Sequence, residues 1–275
     1  MYWIYDISTE YLCILVVSVF AFLSCLGLFC SRNFFYKTFK ISDDTNDVIN
    51  SYISGMGMLY GLLLGLVAVA TWENYDNVDN IVGKESTSIA QLYRDVSTLQ
   101  DPTKTELQDN LKDYLIYVVD VAWPAHKNGD VPSGGTIILT KFLKTLSTYK
   151  TSNIEEQVYL GEIFTAYNRL IENRRLRMLA VDSGIPNIFW VVIIIGGVLN
   201  IVTTFLMYLP SLKTHLFITA LFSSLLGLMI FLLIAVDHPL RGETSISSEA
   251  YSNLLNNLKD LDPKTISETH ELNTE

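Results

Sequence analysis

The sequence GMGMLYGLLLGLVAVATW, residues 55–72, contains no charged side chain and continues without proline into the charged segment ENYDNVDN. A helix of this length rises about 27 Å, close to the roughly 30 Å hydrocarbon core of a bilayer. Because nothing interrupts the pattern beyond Trp72, the helix is predicted to run on into water. We therefore expect one long helix that is a membrane span at one end and part of an extramembrane domain at the other.

Three further charge-free runs of similar length lie at residues 12–30, 188–209 and 216–236 of the 275-residue chain. Charged residues make up only 17% of the sequence, below the usual quarter of a soluble domain. Buried helices of a large soluble protein are the alternative, but four such runs favour four transmembrane helices. The first run is too long for the apolar region of a cleavable signal, so we expect it to remain as a helix.

The four runs divide the chain into four predicted parts. These are two spans at 1–72, a helical extramembrane domain at 73–186, a hairpin of two spans at 187–237 and an acidic C-terminal tail at 238–275. Helical periodicity recurs between spans two and three, and no alternating strand pattern competes with it. The predicted fold class is all-α: a four-helix transmembrane bundle with a helical extramembrane bundle inserted between spans two and three.

The orientation follows from the short links between spans, which decide the positive-inside rule. Basic residues of the links after spans one and three are Arg32, Lys37, Lys40 and Lys213. Their distribution favours both links in the cytoplasm, with the helical domain and both termini outside. A cluster of arginines just before span three favours the opposite orientation.

Span two carries Gly57, Gly61 and Gly65 at intervals of four, which places them on one helix face. Missing side chains let another helix approach closely. Packing within the bundle, a subunit interface and the wall of a narrow pore are all compatible with this pattern. Trp72 and Glu73 end the apolar run, and we group them with the three glycines as candidate pore or helix-packing residues.

No charged residue lies deep in any of the four runs, which argues against a proton-coupled pump. A passive pore remains compatible, because apolar constrictions can gate a pore and charges at its mouth can select ions. Charges gather where the spans end, and the predicted interfacial cluster comprises Glu85, Arg94, Arg174, Arg175, Arg177, Asp237, His238 and Arg241. This cluster would either tie helices together or form an ion-selecting vestibule. In the first case Asp237 would pair with one arginine of residues 174–177, and Glu85 with another.

The sequence shows no nucleophile elbow, phosphate loop, zinc-ligand pair or nucleotide fingerprint. We therefore expect no enzyme activity, no catalytic residue, no metal site and no cofactor. Cys13 and Cys25 are about 18 Å apart along one helix and Cys30 lies in the same run, so we interpret all three as small apolar residues. With a net charge of −10 and no basic groove, nucleic acid is not an expected partner.

Five pieces of sequence follow one another in a distinctive order. They are GLLLGLVAVATW at 61–72, ESTSIAQLYRDV at 85–96, DYLIYVVDVAWP at 113–124, NRRLRMLAVDSGIP at 173–186 and DHPLRGE at 237–243. In this order they resemble the bestrophin-like membrane proteins, a family of unknown function with prokaryotic and plant members. Ser86 departs from the alanine common in the family. A second departure lies before Trp123, where this chain has Asp120 and Val121 and the family is expected to have an acid followed by an aromatic residue.

The resemblance covers about residues 10–252 and implies four transmembrane helices with a helical extramembrane part. By analogy it also implies an oligomeric anion channel, a step from fold to function. It further implies cytoplasmic termini and a cytoplasmic helical domain, the reverse of the orientation that the short links favour. Both orientations stay open at this point.

Two functions of different classes follow. The first is an oligomeric ion channel of bestrophin-like type, with span two lining the path and an anion as the ion by resemblance. The second is a non-conducting membrane scaffold or sensor whose helical domain binds a ligand or partner. A channel needs a water-accessible path along the glycine face, whereas a scaffold would bury that face in its own bundle. The expected partners are the lipid bilayer, inorganic ions and further copies of the chain, in the bacterial cytoplasmic (inner) membrane.

Overall fold

The computed structural model describes residues 3–151 and 153–260. Within these ranges the chain is helical and has no strand, which confirms the predicted all-α fold class. The α-helices of the described residues are α1 (Thr9–Thr38), α2 (Asn46–Val96), α3 (Thr103–Tyr117), α4 (Trp123–Lys127), α5 (Gly134–Thr148), α6 (Ile154–Ala180), α7 (Asn187–Phe205), α8 (Leu212–Asp237) and α9 (Glu249–Asp260). By length and composition α1, α2, α7 and α8 are each able to cross a membrane.

The transmembrane unit comprises residues 3–75, 184–238 and 242–244. Helix α1 packs along α8, and Gly227 permits the close approach because a Cβ atom there would lie 3.1 Å from Val17 Cα. The first part of α2 joins this bundle through Tyr60, whose hydroxyl donates to the Ile193 carbonyl at 2.7 Å. Apolar side chains of all four helices form its core: Leu12, Val16, Leu28, Tyr60, Leu64, Val67, Ile193, Ile201, Phe205, Leu226, Ile230 and Leu233.

Side chains from α1 and α2 hold the short link between α7 and α8. Arg32 donates to the Leu209 carbonyl at 2.6 Å. The Asn46 amide donates to the Tyr208 carbonyl at 3.0 Å and accepts from the Tyr208 N–H at 2.8 Å. These contacts satisfy backbone groups at helix ends, which otherwise lack intrahelical partners.

The extramembrane unit comprises residues 76–183 and 239–241 together with the described part of Ser245–Glu275. Helix α3 packs against α5 and α9, and the fully buried Leu107, Leu111, Leu115 and Phe142 lie in its core. At Val118–Ala122 the helix widens into a π-helical turn before α4 begins. Residues 261–275 of the predicted acidic tail lie outside the described residues.

Candidate functional site

The predicted glycine face of α2 borders a groove of about 370 Å³ within the transmembrane unit. A Cβ atom at Gly61 or Gly65 would have no neighbour within 4 Å, and one at Gly57 would meet only Asn200 Oδ1 at 4.0 Å. The opposite wall belongs mainly to α8, with apolar side chains such as Leu225. Within a single chain, this face therefore borders an unfilled groove in front of α8 and makes no close contact with another helix at Gly61 and Gly65.

A row of large apolar side chains on α2 is also uncovered in the single chain. Exposed members of this row are Met58, Leu62, Leu66, Val69 and Trp72. The Trp72 ring stacks on Tyr75 with ring centroids 5.9 Å apart, and Glu73 is exposed. Lipid or further copies of the chain are needed to remove this apolar surface from water.

The predicted charge cluster centres on one buried ion pair in the extramembrane unit. Arg177 Nε lies 2.6 Å from Glu85 Oε2, and Arg177 Nη2 lies 3.1 Å from Oε1. The Glu85 side chain is 0% exposed and that of Arg177 is 2% exposed. This two-point contact joins α2 to α6 with the geometry that makes arginine–carboxylate pairs strong.

Two tyrosines complete the hydrogen bonding of the Glu85 carboxylate. The Tyr114 hydroxyl donates to Oε1 at 2.6 Å, and the Tyr251 hydroxyl donates to Oε2 at 3.0 Å. Burial, reinforced by the negative charge of Glu85, raises the pKa of both tyrosines well above their ordinary value. Both therefore remain protonated donors, and Tyr251 ties α9 to the ion pair.

The far side of the Arg177 guanidinium contacts His126 and two aromatic rings. His126 Nδ1 lies 3.1 Å from Arg177 Nη1. Burial, followed by the positive charges of Arg177 and Arg174, lowers the pKa of His126 to about 3. The imidazole is therefore neutral and accepts from Arg177. The Trp123 and Tyr251 rings each lie 5.8 Å from the guanidinium carbon, within the range of cation–π interaction.

Burial, the largest single influence, would lower the pKa of Arg177. The charge of Glu85, its hydrogen bond and the neighbouring Tyr251 and Tyr114 together outweigh burial and hold the pKa well above its ordinary value. Arg174 is also buried and donates to the Thr136 hydroxyl at 2.9 Å. Arg94 and Arg175 lie at the surface. The structure thus brings Glu85 and Arg177 together and separates them from the two exposed arginines.

Asp237 has partners that the sequence did not predict. Its Oδ1 accepts from the Ile185 N–H at 2.5 Å, and its Oδ2 accepts from the Tyr5 hydroxyl at 3.0 Å. His238 Nε2 lies 3.8 Å from Asp237 Oδ2, and its ring packs edge-on against Tyr5. Within the transmembrane unit, a backbone N–H and a tyrosine of the N-terminal segment satisfy this carboxylate. The pairing of Asp237 with an arginine of residues 174–177 would join the two units and stays a prediction.

Arg241 belongs to the extramembrane unit. Its Nε donates to the Val181 carbonyl at 3.3 Å, and its Nη2 lies 3.6 Å from Asp182 Oδ1. Across the described residues, no group of three or more His, Cys, Asp or Glu side chains is arranged to hold a metal ion.

The sequence did not reveal Tyr114, His126 and Tyr251 as partners of the buried ion pair, because no short-range spacing links them to Glu85.

Residues 17–251 match the family of the Bestrophin-like domain. A crystal structure of a bacterial bestrophin homologue from Klebsiella pneumoniae, solved by Zn-SAD phasing, is 14% identical, with 90% of this chain and 97% of that chain covered and a TM-score of 0.66. A single-residue variant of that homologue is 13% identical, with coverages of 91% and 99% and a TM-score of 0.67. No match is found among curated proteins. At these identities the likeness to solved structures concerns the fold alone.

Proposed function

The chain belongs to the Bestrophin-like family, and on this basis we propose that it is an oligomeric ion channel in which α2 lines the conduction path. Family membership confirms the resemblance seen in the sequence. With its four long apolar helices, the chain is an integral membrane protein. We place it in the bacterial cytoplasmic (inner) membrane as part of the same proposal.

The open glycine face of α2 carries this proposal. Gly61 and Gly65 have no neighbour within 4 Å of a built Cβ atom, although they lie midway along an apolar helix. A non-conducting scaffold would gain stability by filling that space with side chains of its own bundle. If copies of α2 surround a common axis, glycines keep the path free of side chains at these levels.

The apolar row on α2 fits a path gated by dewetting rather than by buried charges. Family resemblance favours an anion as the permeant ion. The exposed carboxylate of Glu73 at the end of the span would instead attract cations. A flux assay must therefore compare both classes of ion.

Flux through proteoliposomes tests the proposal directly. We expect the purified protein to form an oligomer by particle counting and to pass either chloride or a monovalent cation. Gly61→Leu should reduce flux at least tenfold while the oligomer persists, because the side chain enters open space at the proposed wall. Gly161→Leu on α6 is the matched control, since it is also open but lies outside the spans. An intact oligomer without flux, or full flux through Gly61→Leu, would contradict the proposal.

The alternative is a membrane scaffold or sensor whose helical domain binds a ligand. One observation favours it: the extramembrane unit contains a polar groove of about 540 Å³ along the extension of α2. A protein that binds a ligand there but conducts neither class of ion would support this alternative.

A further inference from the structure

The polar groove of the extramembrane unit lies between α2 and α6. All of its lining residues are polar or glycine, which distinguishes it from the apolar grooves of the transmembrane unit. Asn173 Nδ2 donates to Ser88 Oγ at 2.9 Å, and Ser88 Oγ donates to the Lys84 carbonyl at 2.8 Å. The first bond connects the two helices, and the second, within α2, orients the Ser88 hydroxyl at the floor of the groove. Gly83 leaves the space above the floor open, because a Cβ atom there would meet nothing within 4 Å.

Two cationic side chains flank the Ser88–Asn173 contact from opposite ends. Glu85 pairs with Arg177 and Ser88 with Asn173, so α2 and α6 run antiparallel along the groove. Lys84 is therefore one turn to one side of the contact and Arg169 one turn to the other. Their backbones are about 12 Å apart along the helix axes. Both side chains are long enough to converge over the floor.

Neither cation is neutralised by a carboxylate. Among the described residues, Lys84 and Arg169 form no ion pair, although the chain as a whole carries a net charge of −10. The single carboxylate that lines the groove is Asp79, more than one helical turn before Lys84. The groove is thus locally positive at its centre and negative at one end.

We propose that this groove binds a small molecule with one or two oxyanion groups, phosphate or carboxylate, held between Lys84 and Arg169. The guanidinium offers a planar pair of donors that matches either group, and the ammonium adds a point charge. Asn173, which uses one amide proton on Ser88, supplies a second neutral N–H donor beside the cations. Asp79 would repel a third negative charge and so disfavours long polyphosphates. The inference is independent of the proposed conduction, since a channel and a sensor could both use such a site.

Isothermal titration calorimetry of the full-length protein in detergent tests the site, with inorganic phosphate and the dicarboxylate succinate as separate probes in low-salt buffer. We expect saturable binding of at least one probe, weakened by added sodium chloride. Lys84→Gln and Arg169→Gln should each raise Kd at least tenfold, and Asp79→Asn should lower it severalfold. Matched controls are Lys141→Gln and Arg175→Gln, which remove the same charges from exposed positions on α5 and α6.

Gly83→Leu tests whether binding requires the space in the groove or only the positive charge of Lys84 and Arg169. A Cβ atom at Gly83 meets nothing within 4 Å, so we expect the protein to keep its melting temperature and oligomeric state while binding is lost. Binding by Gly83→Leu equal to wild type, equal losses in the charge controls, or no saturable heat with either probe would overturn the proposal. Binding and ion flux are separate measurements. Wild-type protein that conducts ions but binds neither probe would contradict the anion site alone, and protein that binds a probe but does not conduct would contradict the channel alone.

Discussion

The guanidinium of Arg177 holds both carboxylate oxygens of Glu85, although the two residues are 92 positions apart in the chain. Neither side chain has appreciable contact with solvent. A buried charge is costly unless it is paired and fully hydrogen-bonded, and here two tyrosines and a histidine complete the shell. This arrangement joins α2, α3, α6 and α9, and it makes the stability of the extramembrane unit sensitive to each member.

Removing one partner of the pair should be strongly destabilising. We expect Glu85→Gln or Arg177→Gln to lower the free energy of unfolding by about 3–5 kcal/mol, because the remaining group loses its charged partner. Chemical denaturation in detergent, followed by tryptophan fluorescence, measures this change. Arg175→Gln on the exposed face of α6 should stay within about 0.5 kcal/mol of wild type. Losses from Glu85→Gln and Arg177→Gln that simply add in the double variant would contradict the pairing.

Tyr251 should matter for the docking of α9. Tyr251→Phe removes a hydroxyl that donates to Glu85 Oε2 and leaves the buried ring in place. We expect a loss of about 1.5–3 kcal/mol, the usual contribution of a hydrogen bond to a charged group. Limited proteolysis should also cleave within α9 sooner in this variant. Tyr159→Phe, at a surface position of α6, is the control, and equal behaviour of the two variants would contradict the prediction.

Stability should depend on pH through His126. Its pKa is lowered from the ordinary 6.5 to about 3 in the folded protein, so the unfolded chain binds more protons between these values. Folding stability should therefore fall as the pH decreases from about 6.5 toward 3, by up to roughly 1.4 kcal/mol per pH unit. Unfolding of wild type and His126→Asn at pH 7 and pH 5 measures this dependence. The variant should lose the extra slope, whereas His238→Asn should retain it, and identical slopes in wild type and His126→Asn would refute the assignment.

The orientation that the short links favour can be tested by labelling. In a chain with Cys13, Cys25 and Cys30 changed to serine, Lys37→Cys should not react with a membrane-impermeant thiol reagent in intact cells. The exposed Asp130→Cys in the helical domain should react, because one span separates the two positions. Labelling at position 37 and protection at position 130 would establish the reverse orientation, with a cytoplasmic helical domain.

Features that depend on neighbouring residues could be predicted from the sequence. The spans were predicted because hydrophobic length is a property of a continuous run, and α2 continues from Asn46 to Val96 as expected from the absence of a break. The start of α6 also depends on neighbouring residues, since Asn153 Oδ1 accepts from the Glu156 N–H at 2.8 Å. Helical spacing likewise placed Gly57, Gly61 and Gly65 on one face.

Features that depend on residues distant in the chain required the tertiary structure. Spacing could not show whether the glycine face is filled, because the answer depends on where α7 and α8 lie beside α2. Asp237 was assigned an arginine partner on the expectation that charges gathered at the span ends would meet. Its partners within the transmembrane unit are Ile185, 52 positions away, and Tyr5, 232 positions away. The sequence by itself therefore determined the helices and their apolar faces, which are set by local periodicity. Only the fold decided which polar groups meet, because a hydrogen bond is short and directional and its partner is whatever group packing brings within about 3 Å.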